Sequence, residues 1–275
     1  MCISAARADF KGTKILLNET SLPGIGRVHV LLYQNMVVSY AGPNAMLLHI
    51  PSASPMGPEN FIATTEFPGV LDAMVRAVQP QTRAKSRAPV AAAPSVQVFE
   101  SGIYHVVLAN NPAEIPTALD RVPPEKRPPL NQALFDFYAR AFGDSWHVAL
   151  CCFNTKRMVK APPVMVWYPP LASEEGRFRL PALDCHTGEV PDLDATVDVD
   201  HWLFVASDEM DGGAEVHYSE PIPADVRGLL PDRVHGARFN RPMPNGDFVY
   251  VREQVMAGQI TEPRRMRPPA FAAAA

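Results

Sequence analysis

Long hydrophobic runs are missing from this sequence. Although 47% of its 275 residues are apolar, no unbroken stretch reaches the roughly 18 residues that a membrane-spanning helix needs. The first residues, Met1 to Asp9, lack a basic region followed by an apolar core, so no secretory signal is read there. An excess of basic charge is missing too. Lys and Arg number 25 against 29 Asp and Glu, for a net charge of -4, which gives no reason to expect nucleic acid or an anionic membrane as partner. Cysteine is sparse. Cys2, Cys151, Cys152 and Cys185 form no CxxC pair, which suits a reducing compartment, and the expected location is cytoplasmic. P-loop, G-x-G-x-x-G and G-x-S-x-G patterns are all absent, so nucleotide binding and serine-hydrolase chemistry lack support.

What is present is a succession of short apolar segments punctuated by turn residues. Strand character is read at Thr13–Leu17, at Arg27–Tyr40 as one or two strands broken near Gln34 and Asn35, at Ala45–Ile50 and at Phe61–Thr65. It returns at Val96–Phe99, Ile103–Ala109, Trp146–Phe153 and Val164–Tyr168, and more weakly at Glu215–Tyr218 and Phe248–Arg252. If Cys151 and Cys152 lie on a strand, they point to opposite faces. Helical spacing of apolar residues marks Pro68–Gln79, Pro112–Val122 and Leu130–Phe142, the last with Gly143 as its stop. These elements predict an α+β fold with a mainly antiparallel sheet and two or three helices, compatible with an αββα-like sandwich. One domain over residues 1–260 is expected. A stretch near 80–95, rich in Ala, Pro, Lys and Arg, reads as a flexible excursion, and 261–275 as a disordered tail.

The densest chemistry runs from Cys185-His186-Thr187-Gly188-Glu189 to Asp200-His201. On a strand over 194–205, Val197, Val199, His201, Leu203 and Val205 share the inward face. Asp194, Asp198 and Asp200 share the other, as a solvated face. His201, set among aliphatic residues, then needs a partner, and the preceding turn offers His186 and Glu189. Three readings stay open. His186, Glu189 and His201 could ligate zinc or iron; they could orient one another as a catalytic base and its helper; or they could form a hydrogen-bonded turn leading into a core strand.

The segment His186-Thr187-Gly188-Glu189-Val190-Pro191, followed by Asp200-His201, resembles an H-x-G-E-V…D-H signature in a family of uncharacterised bacterial proteins. Asn44-Ala45-Met46-Leu47-Leu48-His49-Ile50-Pro51 is similar to that family's N-A-M-x-L-x-x-P segment, and Met1-Cys2 to its start. Many relatives carry Asp where this chain has Thr187, and the resemblance implies no activity.

Cys2 is the other chemical feature. Removal of Met1 would place a thiol beside its own α-amine, which titrates near neutrality at about 7.7 to 8.0 and can act as the base for that nucleophile. N-terminal nucleophile hydrolases, with sheets sandwiched between helices, resemble this arrangement. The leading expectation is therefore an amidohydrolase acting on a small amide through Cys2, with His186, His201 and Glu189 assisting. A metal-dependent enzyme and a non-catalytic binding or structural protein are the alternatives.

Overall fold

The computed structural model describes residues 3–79, 100, 101 and 103–272. The expected excursion near 80–95, the strand expected at 96–99 and Cys2 lie outside the described residues. The strands are β1 (Ile3–Ser4), β2 (Ala8–Leu22), β3 (Gly26–Ser39), β4 (Asn44–Ile50), β5 (Phe61–Ile62), β6 (Glu100–Ser101), β7 (Tyr104–Ala109) and β8 (His147–Phe153). They continue as β9 (Val159–Lys160), β10 (Val164–Tyr168), β11 (Arg177–Leu180), β12 (Thr196–Ser207), β13 (Ala214–Glu215), β14 (Arg233–Pro244), β15 (Asp247–Val251) and β16 (Arg264–Met266). Among the described residues two α-helices exceed two turns, α1 (Val70–Val78) and α3 (Gln132–Phe142). Short turns of helix form α2 (Ile115–Leu119), α4 (Ala224–Arg227) and α5 (Arg252–Met256).

A five-stranded sheet runs β1-β4-β8-β7-β6, and a larger one runs β13-β14-β12-β2-β3-β10-β5 with β9 beside β3. A third sheet, β11-β15-β16, has three strands. Pairing is antiparallel between all these strands except β12 and β2. The fold is α+β and mainly antiparallel, as the spacing of short apolar segments predicts.

Period-two alternation divides the apolar residues into layers. Met46, Leu48, Ala149 and Cys151 of the five-stranded sheet meet Ile15, Leu17, Leu31, Leu203 and Val205 of the larger one in a central core. Their neighbours Leu47, Val148, Leu150 and Cys152 face the other way, onto α2 and α3. On the far side of the larger sheet, Leu16, Val30, Leu32 and Phe204 pack against α1 and α4. The order is thus helix, sheet, sheet, helix. Cys151 and Cys152 occupy opposite faces as expected, and burial pushes the Cys152 thiol up to about 12, so it stays protonated.

Several boundaries differ from the sequence expectation, each for a physical reason. Of the one or two strands expected over Arg27–Tyr40, the structure has one, β3 (Gly26–Ser39), because the polar pair in its middle is satisfied inside the sheet. Gln34 donates to the Ala161 carbonyl and Asn35 accepts from the Tyr104 hydroxyl. Helix α3 starts later than expected because Asn131 caps it, its side chain accepting from the Leu134 N–H. The expected disordered tail is in part ordered: Arg264–Met266 pairs with β15, and Phe271 stacks on Phe137. The Arg and Pro composition there hides a strand held by carbonyls, Arg265 Nε donating to Pro244 O at 2.8 Å.

Candidate functional site

The N-terminal segment and the turn around residue 186 are stitched together. Ile3 forms a parallel bridge with Cys185; Ser4 N–H donates to Cys185 O at 3.0 Å and Ala8 N–H to His186 O at 2.9 Å. Asn44 fixes the intervening residues, accepting from Ala6 N–H at 2.9 Å and donating to Ala6 O at 2.8 Å. Asn131 adds a third clamp, donating to both Ala5 O and Gly188 O. Gly188 is required at this seam. Its φ is +83°, and a Cβ there would lie 2.8 Å from Ala6 Cα and 2.9 Å from Ala5 O.

Beside the seam opens a cavity of about 340 Å³, lined by Phe10, Lys11, Thr13, Asp184, His186, Asp198 and Asp200. Its origin is a mismatch between strands. The β2–β3 register shifts between Lys11 and Lys14, a bulge whose Gly12 has φ +60°. The parallel pairing of β12 with β2 begins only at His201 opposite Thr13. Residues 196–200 of β12 therefore overhang, paired on one side with β14 alone among the described residues. Bulges of this kind redirect side chains next to binding and catalytic sites.

His186 lies with its Nε2 2.9 Å from Asp184 Oδ1. This is an ion-pair distance at which the hydrogen-bond angles are not met. The ring also lies 5.1 Å from that of Phe10. Asp184 is itself pinned by Asn245, whose Oδ1 accepts from Asp184 N–H and whose Nδ2 donates to Asp184 O, both at 2.9 Å. Asp200 is engaged as well, accepting from Gly12 N–H at 3.2 Å and from Arg238 at 2.9 Å. Asp198 has no ion pair or hydrogen bond among the described residues, and it is exposed.

Behind the cavity lies a buried charge network. Asp247 accepts from Ala182 N–H at 2.9 Å, Leu183 N–H at 3.2 Å and Arg179 at 3.2 Å, and contacts His49 Nε2 at 2.9 Å. Burial alone would raise its carboxyl, but the facing charge and hydrogen bond of His49, with Arg179 and the Ala182 N–H, hold it far below the usual range. Arg179 also forks onto Glu174 at 2.9 and 3.1 Å. Arg265 stacks on Phe248, its guanidinium carbon 3.9 Å from the ring centre. Burial brings its pKa down to about 10 against the opposing pull of Asp247 and Asp184, so it remains a cation at neutral pH. The network holds residues 182–183 and hence sets where Asp184 and His186 emerge.

The structure redistributes the residues expected from the sequence. His186 lines the cavity. His201 is inward on β12 as expected, 1% exposed, but it belongs to the core beside Phe248, ring centres 5.7 Å apart, and does not line the cavity. Glu189 is exposed and contacts Thr187 at 3.4 Å within its own turn, because the left-handed Gly188 redirects the chain between it and His186. The carboxylate beside His186 is Asp184, not Glu189. His186, Glu189 and His201 are accordingly not gathered, and no trio of His, Cys, Asp or Glu among the described residues is arranged to hold a metal ion. The acidic face of β12 alternates as expected, yet Asp198 and Asp200 wall the cavity instead of simply facing solvent. Asp184 directly precedes Cys185-His186, but nothing local in the sequence separates it from Glu189 as the partner.

No helix among the described residues is long and apolar enough to cross a membrane. No protein-family model matches the chain, and no curated protein matches it. Among solved structures, that of baculovirus P35 is similar over 92% of each chain at 11% identity, with a TM-score of 0.45. Two structures of mutated baculovirus P35 after caspase cleavage are similar at 12% and 9% identity, covering 90% and 87% of this chain and 90% and 91% of theirs, with TM-scores of 0.39 and 0.38. Likeness at this level assigns neither a family nor an activity.

Proposed function

We propose that the protein is an amidohydrolase that uses Cys2 as an N-terminal nucleophile at this cavity. The observation that carries the reading is the bridge between Ile3, the residue after Cys2 in the chain, and Cys185, the neighbour of cavity-lining His186. The helix–sheet–sheet–helix layering is compatible with the same reading.

In this mechanism Met1 is removed and the free α-amine or His186 takes the thiol proton. The thiolate sulfur attacks the amide carbonyl, and the leaving amine departs with that proton. Water then cleaves the thioester, restoring the thiol and releasing the acid. Asp184 positions the His186 ring. His201 and Glu189 have no part in it.

The test is intact-mass analysis followed by hydrolysis of a panel of small N-acyl amides. Loss of Met1 and activity abolished by Cys2→Ala are expected. Retention of Met1, or turnover that survives Cys2→Ala, overturns the mechanism.

A further inference from the structure

We infer that the cavity takes its substrate as a short extended peptide, held by main-chain hydrogen bonds in a gap between β2 and β12. This rests on the reading just given, in which the cavity holds the substrate, and it names the substrate class. The cavity passes through the larger sheet instead of lying on one face of it. Phe10, on its wall, belongs to the central core. Asp198 and Asp200, also on its wall, stand on the face opposite Val199 and Leu203, which belong to that same core. Residues from both faces of a sheet meet around one cavity where two neighbouring strands have parted.

Strand phase decides which main-chain groups face that gap. In antiparallel pairing, successive residues turn their N–H and C=O alternately toward one neighbour and the other. Across the β12–β14 ladder, Thr196 faces Pro244 and Asp198 faces Pro242. Proline has no N–H to give, so the bonds to β14 run through Val197 and Val199. Asn245 N–H donating to Ala195 O at 2.9 Å keeps the same phase. The N–H and C=O of Asp198 therefore turn toward β2. On β2, Tyr40 N–H donates to Arg7 O at 3.2 Å, whereas Ala8 N–H turns away from β3 to His186 O. Phe10 shares the phase of Ala8 and turns into the gap from the other side. Asp198 lies three residues before His201 and Phe10 three before Thr13, the first pair of the parallel ladder. Neither finds a main-chain partner across the gap among the described residues.

A group that satisfies both rows must alternate donors and acceptors at strand spacing, about 3.4 Å per residue, as an extended peptide does. The volume of about 340 Å³, at the small end of ligand sites of about 300 to 1,000 Å³, limits it to a few residues. Such a peptide would lie beside His186, on the same wall. The outer edge of β14 offers no second site of this kind. Pro242 and Pro244 direct their missing donors there and blunt it, as prolines on sheet edges do.

The probes are acetyl-trialanine N-methylamide and the same peptide N-methylated at its central alanine, each titrated into the full-length Cys2→Ala chain. Ligand-observed NMR reads their affinity, and amide hydrogen exchange reads the protein main chain, both apart from catalysis. The parent peptide should bind, and the N-methylated one at least about threefold more weakly, as for one net hydrogen bond lost. Only the parent should slow exchange at the Asp198 and Phe10 amides. Asp198→Pro removes the gap-facing N–H and spares the β14 ladder, so it should weaken the parent peptide by a similar factor. Equal affinity of the two peptides, no binding of either, or unchanged exchange at both amides overturns the inference. So does slow exchange at both amides before any peptide is added, since the chain itself would then fill the gap. If the peptide binds as expected while the wild-type chain hydrolyses no amide, the catalytic reading fails and the strand site stands. If simple amides without a peptide main chain are hydrolysed as fast as peptides, catalysis stands and the substrate class is wrong.

Discussion

Replacing Asp247 tests whether the candidate site is held from behind. Its carboxylate is fully buried and receives two backbone N–H groups, one arginine N–H and the His49 ring. Asp247→Ala would leave the Ala182 and Leu183 N–H groups without an acceptor in the core and remove one of the two anions facing Arg179. Orphaned buried donors cost about 1–3 kcal/mol each, and breaking a buried ion pair by removing one partner costs about 3–5 kcal/mol in total. The expected loss is therefore about 3–5 kcal/mol, a large share of a typical stability of about 5–15 kcal/mol. Asp247→Asn keeps Oδ1 for the two N–H groups but gives up the charge and the oxygen that accepts from Arg179, so it should cost less by about the 1–3 kcal/mol of one orphaned donor. Urea unfolding, read as a midpoint shift at unchanged slope, distinguishes the two. A loss under about 1 kcal/mol for Asp247→Ala would refute the reasoning. Equal losses for the Ala and Asn variants would show that backbone acceptance is not what the carboxylate contributes.

Acid should destabilise the protein through carboxylates whose native pKa is depressed. Burial would raise Glu19, but hydrogen bonds from His29 and Arg252, with the Arg252 charge, bring it to about 2. Its contribution is complete above the unfolded value of about 4.3 and is lost as pH falls from there toward 2. Unfolding measured across that window should show Glu19→Gln with a flatter acid limb than wild type; parallel limbs would contradict this. Gly188→Ala should cost about 1–3 kcal/mol through its left-handed φ and its clash with Ala5 and Ala6, and should alter the His186 ring environment seen by NMR. An unshifted ring would argue against the seam. His201→Ala should lower stability by about 2–4 kcal/mol, as a buried aromatic side chain does, whereas His186→Ala should cost under about 1 kcal/mol and slow hydrolysis. Thermal melts together with the amide assay check both, and the reverse pattern would move the site to His201.

Much of this architecture follows from local spacing. The alternation Val197, Val199, His201, Leu203 dictates an inward face for that strand, because successive side chains on extended backbone must point to opposite sides. The same rule sends Cys151 and Cys152 into different cores. Apolar spacing from Leu134 to Phe142 with Gly143 behind it yields α3. Local pattern also encodes the acidic face of β12, but not that a bulge at Gly12 and a late start to the β2 pairing would turn that face into a cavity wall. Which carboxylate stands beside His186 depends on how Gly188 turns and how Asn245, 61 residues beyond Asp184, clamps it. His49 and Asp247 meet across 198 residues, and Ile3 and Cys185 from nearly opposite parts of the chain. Such contacts are fixed by sheet register and layer packing. Those are properties of the whole assembly of strands, and no window of neighbouring residues contains them.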